Sequence, residues 1–243
     1  MELAGRVALV TGAGRRLGRA IALDLGQRGM RVAVHYHASA EGAAATAREI
    51  TADGAEASIF AADLREGAAP GRLVQDVMAH FGALDVLINS AAVMVRTPFG
   101  EVTPEMWDDM FALNLRAPFF CAQAAAGAMV GHGGGAIVNI ADLAGLETWP
   151  GYIPHGITKA GVLQMTRALA RTLAPTVRVN AVAPGSVLLP ESWGEDVAER
   201  LARTTPLRRL GSPADVTQAV AYLLEADYVT GETVIVDGGR HIR

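Results

Sequence analysis

Seven short apolar runs separated by segments of helical pattern constrain this chain more than any other feature. The runs are Arg6 to Thr11, Arg31 to Tyr36, Ser58 to Ala61, Leu84 to Asn89, Ala136 to Ala141, Val177 to Ala183 and Thr233 to Val236. Helical segments fall at roughly 16–29, 40–52, 69–81, 103–130, 152–173 and 213–225, each long enough for a right-handed crossover. Strands joined through crossover helices form a parallel sheet, and such a sheet carries helices on both faces. The runs are accordingly continuous in apolar character rather than alternating, as strands buried on both sides must be. The expected fold is α/β, a doubly wound seven-stranded parallel sheet. One longer irregular stretch, Pro184 to about Pro206, follows the sixth strand. Ligands of open α/β sheets sit beyond the carboxyl ends of the strands, which makes this stretch a candidate substrate lid.

Composition narrows the function classes. The 243 residues suit a single domain, 1–243, and a hydrophobic content of 51% with only 5% aromatics suits a core of Val, Ile, Leu and Ala. A net charge of −4, with no basic run, argues against nucleic acid or an anionic membrane as partner. No apolar run reaches the ~18 residues of a membrane span. The lone Cys121 cannot form an internal disulfide, and the first residues lack a charged start followed by an apolar stretch; a cytoplasmic location is expected. No metal is expected.

The first strand runs into Thr11-Gly12-Ala13-Gly14-Arg15-Arg16-Leu17-Gly18, and a helical pattern follows at once. Glycines let the backbone turn tightly against a pyrophosphate, while free N–H groups and the helix dipole hold its charge. This order makes the sheet Rossmann-type and the domain a dinucleotide-binding one. At the end of the second strand an NAD site places a carboxylate for the ribose hydroxyls, whereas a 2′-phosphate needs donors and positive charge. Here the end reads His35-Tyr36-His37-Ala38-Ser39, without a carboxylate, and Arg15 and Arg16 lie on the neighbouring turn. NADP(H) is the expected cofactor.

The TGxxxRxG spacing resembles that of the short-chain dehydrogenase/reductases, and the resemblance spans essentially the whole chain. Within that superfamily Arg16 and the HYHASA segment at 35–40 are most similar to the pteridine reductases. The tail Asp237-Gly238-Gly239-Arg240-His241-Ile242-Arg243 resembles that of bacterial dihydromonapterin reductases. The resemblance implies that Asp63 and Leu64 contact adenine, that Asn89-Ser90-Ala91 frame the cofactor, and that Pro184-Gly185-Ser186 hold its nicotinamide end. It implies a homotetramer with the helices at 103–130 and 152–173 in one interface and the tail near a neighbouring site.

The resemblance also implies the chemistry, a hydride passing between the nicotinamide and a carbonyl or imine carbon while a tyrosine four residues before a lysine moves the proton. Positions i and i+4 share a helix face, so the ammonium can sit beneath the phenol. Lys159 matches the lysine, but His155 occupies the tyrosine position. Asp142 stands where most members have serine and pteridine reductases have aspartate, and Asn114 matches a helix asparagine that holds a relay water. A histidine can move protons near neutral pH, giving an Asn114, Asp142, His155 and Lys159 relay. Arg16, Met94, Asp142, His155 and Trp193 are the expected substrate contacts, for a pteridine or another small carbonyl or imine compound. The alternative is an NADP(H)-binding homologue with little or no reductase activity, because the tyrosine is replaced.

Overall fold

The computed structural model describes residues 1–189 and 194–242. The strands are β1 (Val7–Val10), β2 (Arg31–Tyr36), β3 (Ala57–Ala61), β4 (Val86–Asn89), β5 (Gly135–Ile140), β6 (Val177–Pro184) and β7 (Thr233–Val236). All pair in parallel, in the order β3-β2-β1-β4-β5-β6-β7. The helices are α1 (Arg16–Gln27), α2 (Ala40–Ala52), α3 (Ala69–Phe81), α4 (Pro104–Phe111), α5 (Ala117–Val130), α6 (Ile153–Leu173), α7 (Glu195–Thr204) and α8 (Pro213–Glu225).

Alternate strand residues build two separate cores. Ala8 and Val10 of β1, with Val86 and Ile88 of β4, pack against Ile21 and Leu25 of α1 and Val220 and Leu224 of α8. Val7, Leu9 and Leu87 point the other way, onto Val77 of α3 and Cys121, Ala125 and Met129 of α5. Burial on both sides explains why the strands read as unbroken apolar runs. Strand order reverses beside β1, whose neighbours β2 and β4 continue in opposite directions. That opens a crevice above the carboxyl ends of β1 and β4, where the glycine turn lies.

Two expectations are corrected. The segment 103–130 is not one helix: α4 and α5 are separated by a π-helical turn, Ala112–Arg116. Pro118 has no N–H to give the carbonyl of Asn114, so the α-helical bond due there is missing and the ladder shifts. The irregular stretch from Pro184 to Pro206 carries α7, whose first turn holds Glu195 and Asp196 and whose last holds Arg203. Those charges complement the helix dipole at both ends. Among the described residues no helix is long and apolar enough to cross a membrane.

Candidate active site

The glycine turn is held from several sides before any ligand is considered. Gly12 has a φ of 69°, and a Cβ on it would meet Ala91 Cα at 2.9 Å. A Cβ on Gly18 would come within 2.3 Å of the Gly12 carbonyl oxygen, so only glycine lets α1 start this close to the strand. Thr11 fixes the neighbouring loop, its Oγ1 accepting from the backbone N–H of Ser90 at 2.9 Å and Ala91 at 3.0 Å. No side chain caps α1, and its first turn holds no acidic residue. Uncapped N–H groups at the positive end of a helix that borders a cavity suit the diphosphate of a dinucleotide. The turn therefore passes the test of fitting the cofactor implied by its sequence.

From the turn runs a cavity of about 610 Å³. It brings together Gly12, Gly14, Arg15, Arg16, Leu17 and Gly18 with His35, Tyr36, His37, Ala38 and Ser39. Asp63, Leu64, Ser90, Ala91, Met94, Asp142, His155, Lys159, Pro184 and Gly185 line it as well. Nearly every residue expected from the sequence thus borders one space. At the end of the cavity beside β3, Arg65 donates to Asp63 at 2.8 Å and to Asp109 at 2.9 Å, tying the end of β3 to α4. The guanidinium holds the Asp63 carboxyl well below the usual aspartate range. Arg15 is exposed and His37 lies 3.8 Å from Asp63.

The opposite end carries the titratable cluster. His155 and Lys159 sit one turn apart on α6, at 2% and 5% exposure, which excludes competing water from both. The Lys159 ammonium donates to the Ile140 carbonyl at 2.8 Å. Burial lowers its pKa from the ordinary lysine value, and Asp142 opposes that shift. Asp142 Oδ1 accepts from Ala144 N–H at 2.8 Å, leaving Oδ2 3.6 Å from His155 Nε2. Glycines bring these parts together: a Cβ on Gly145 would reach the Lys159 backbone at 2.8 Å, and one on Gly156 the Ala144 carbonyl at 2.9 Å.

The imidazole is oriented by backbone. Asn114, set by the π-helical turn, accepts from Val93 N–H and donates to Val93 C=O, each at 2.8 Å. That carbonyl lies 3.2 Å from His155 Nδ1. The Asn114 amide nitrogen lies 3.4 Å from the same Nδ1, so Nδ1 is held by the surrounding frame and the open nitrogen of the ring is Nε2. Nε2 has no hydrogen-bond partner among the described residues, although it is buried at the cavity wall. A bare, buried ring nitrogen beside a carboxylate is a group placed to exchange a proton with a ligand.

Several expected roles are revised. Asn89 does not border the cavity; its amide donates to Asn139 at 2.9 Å, and Asn139 donates to Thr166 at 2.9 Å, linking β4, β5 and α6. Asn114 does not line the cavity; besides clamping Val93, its amide nitrogen lies 3.4 Å from His155 Nδ1 and donates to Thr158 Oγ1 at 3.3 Å. Ser186 does not line the cavity either, and its hydroxyl accepts from Arg240 at 2.5 Å. Arg16 lines it with a φ of 51°, but its guanidinium donates to the carbonyls of Leu188 at 2.5 Å and Leu189 at 3.3 Å. Within the tail, Asp237 accepts from the backbone N–H of Gly239 and His241. Trp193 and Arg243 lie outside the described residues. Sequence reasoning missed Arg65 and Val93. Arg65 is two residues from Asp63 and could have been found; Val93 acts through its backbone and leaves no sequence signal.

One cavity therefore joins a glycine turn at the start of a helix to a buried His155, Asp142 and Lys159 cluster, a layout that suits a dinucleotide-dependent oxidoreductase. Residues 12–241 match the family model described as enoyl-(acyl carrier protein) reductase. The 3-oxoacyl-[acyl-carrier-protein] reductase FabG of Staphylococcus epidermidis is 36% identical over 240 residues, 97% of this chain and 98% of the relative. A protein of Streptomyces violaceoruber assigned as ketoacyl reductase 2 of the granaticin polyketide synthase is 38% identical over 243 residues, 97% of this chain and 96% of the relative. Among solved structures, the angucycline C-6 ketoreductase LanV with bound NADP superposes with a TM-score of 0.92 at 35% identity, covering 100% of this chain and 98% of that one. The chain belongs to the short-chain dehydrogenase/reductase superfamily.

Proposed function

We propose that the protein is an NADP(H)-dependent ketoreductase in which His155 supplies the proton to the carbonyl oxygen. The observation that carries this reading is the open Nε2 of His155, buried in the cavity wall while Nδ1 is held by Val93 and Asn114. The cofactor supplies a hydride from its nicotinamide ring when bound. The N–H groups opening α1 hold the diphosphate, and Arg15, His37 and Ser39 surround the place of a 2′-phosphate, with no carboxylate at the end of β2 to repel it. Nε2 stands 3.6 Å from Asp142 Oδ2, and when it carries a proton it donates to the carbonyl oxygen as negative charge develops there. Lys159 stands one turn beyond His155 beneath the site, and its bond to Ile140 ties it to the end of β5.

The relatives named for an activity reduce 3-oxoacyl groups or a polyketide ketone, and a ketone of that class is the substrate proposed here. Met94, Val187 and Leu188 give the cavity an apolar, adaptable wall that suits an acyl or polyketide chain. Reduction of a pteridine loses its best support at Arg16, whose guanidinium is engaged by Leu188 and Leu189. The test is NADPH consumption with an acetoacetyl thioester, a bicyclic ketone and a dihydropterin, repeated with NADH. Turnover of a ketone is expected, with NADPH favoured over NADH by at least about 10-fold in affinity. Preference for NADH, or turnover of the dihydropterin alone, would contradict the reading, and no turnover at all would favour a non-catalytic homologue.

We also infer a homotetramer. Trp107, Phe119 and Phe120 are each 36–40% exposed on α4 and α5, an apolar face of the kind that self-association covers. Phe120→Glu is expected to convert a tetramer into smaller species in light scattering, whereas a monomeric wild type would refute the assembly.

A further inference from the structure

His35 lies at the end of β2, 2% exposed, beneath the glycine turn. Gly12 N–H donates to its Nδ1 at 3.0 Å, and its Nε2 lies 3.1 Å from the carbonyl oxygen of Ala62. A backbone N–H only donates and a carbonyl only accepts. The two partners together require a bare Nδ1 and a protonated Nε2, which is a neutral imidazole in one tautomer. A charged ring would set two donors against each other at Gly12. The backbone of His35 takes part too, its carbonyl accepting from Ala13 N–H at 2.8 Å. Ala62 immediately precedes Asp63, so one ring joins the turn that opens α1 to the loop at the end of the cavity beside β3.

We propose that His35 is a positioning residue for the dinucleotide, fixing the peptide of Gly12 and the approach to Asp63 in the relation the bound cofactor needs. The proposal rests on the dinucleotide reading of the same cavity. Burial is the main cause that pushes the His35 pKa down to about 4, with the neighbouring His37 adding to it. The Ala62 hydrogen bond and the Asp63 carboxylate act in the opposite sense. The ring is thus neutral throughout the pH range in which the enzyme would work.

Three substitutions separate the contacts. His35→Asn keeps an acceptor near the position of Nδ1, His35→Gln reaches only toward Ala62, and His35→Leu removes both contacts at similar size. Fluorescence titration with NADPH is expected to give a Kd within about threefold of wild type for His35→Asn. For His35→Gln and His35→Leu the Kd should rise at least about 10-fold, the worth of one buried hydrogen bond. Turnover at saturating NADPH should change by less than about threefold in all three, a split that general loss of structure would not produce. Ring 15N shifts of the wild type, read without substrate or cofactor, should show a neutral Nε2–H tautomer at pH 5.

Equal affinity for NADPH in His35→Asn and His35→Leu, or an Nδ1–H tautomer in the wild type, would overturn the proposal while leaving the dinucleotide reading intact. A wild type that binds neither NADPH nor NADH would overturn both.

Discussion

Replacing His155 by alanine is expected to lower kcat for a ketone by about 10²–10⁴-fold, the usual contribution of a positioned proton donor. Affinity for NADPH should stay within about threefold, because the glycine turn lies at the other end of the cavity. The side chain is almost fully buried, yet among the described residues its Nε2 has no hydrogen-bond partner, while its Nδ1 is held by Val93 and Asn114. A purely structural histidine would have both nitrogens engaged. Truncation also leaves space in the wall, so thermal stability must be measured alongside activity. His155→Tyr serves as the second variant: a phenol at this position stands one turn before Lys159 and can donate in place of the imidazole. It is expected to turn over the ketone at least as well as His155→Ala by a factor of about 10. An alanine variant as active as wild type would exclude His155 from the chemistry.

How far such a site is legible in sequence depends on whether its parts act through side-chain type or through backbone. The glycine turn, the carboxylate-free end of β2 and the spacing of His155 to Lys159 are written in residue identities, and the structure gathers them around one cavity. Helices and strands are equally legible, because burial on two faces imposes continuous apolar runs whose lengths can be read directly. The π-helical turn was written in Pro118 but was masked by the helical pattern on either side. α7 was hidden by the glycine and prolines around it, although its acidic start and basic end fit a helix. Arg16 could not be resolved by type alone. A free arginine on the phosphate turn suggests an anion, and only the fold shows its guanidinium meeting the carbonyls of Leu188 and Leu189. The anchoring of the His155 ring is less legible still, since it depends in part on a carbonyl that any residue at position 93 would supply.

The backbone of the turn can be tested at Gly18 with a single added carbon. A Cβ there falls 2.3 Å from the carbonyl oxygen and 2.9 Å from the carbonyl carbon of Gly12, so no flexible side chain can move aside to admit it. Either α1 retreats from β1 or the peptide after Gly12 rotates, and both displace the N–H groups meant for the diphosphate. Gly18→Ala is therefore expected to weaken NADPH binding by at least about 100-fold, as several hydrogen bonds to a charged group are misdirected together. Overpacking should also destabilise the fold by about 1–3 kcal/mol, visible as a lower melting temperature. Gly71, inside α3, is the control: an added Cβ meets nothing within 4 Å. Gly71→Ala should raise stability by roughly 0.5–1 kcal/mol through helix propensity and leave NADPH affinity unchanged. Calorimetry and dinucleotide titration on the pair separate the close approach at the turn from the general effect of removing a glycine. Wild-type affinity in Gly18→Ala would mean that the backbone of this turn is not what holds the cofactor.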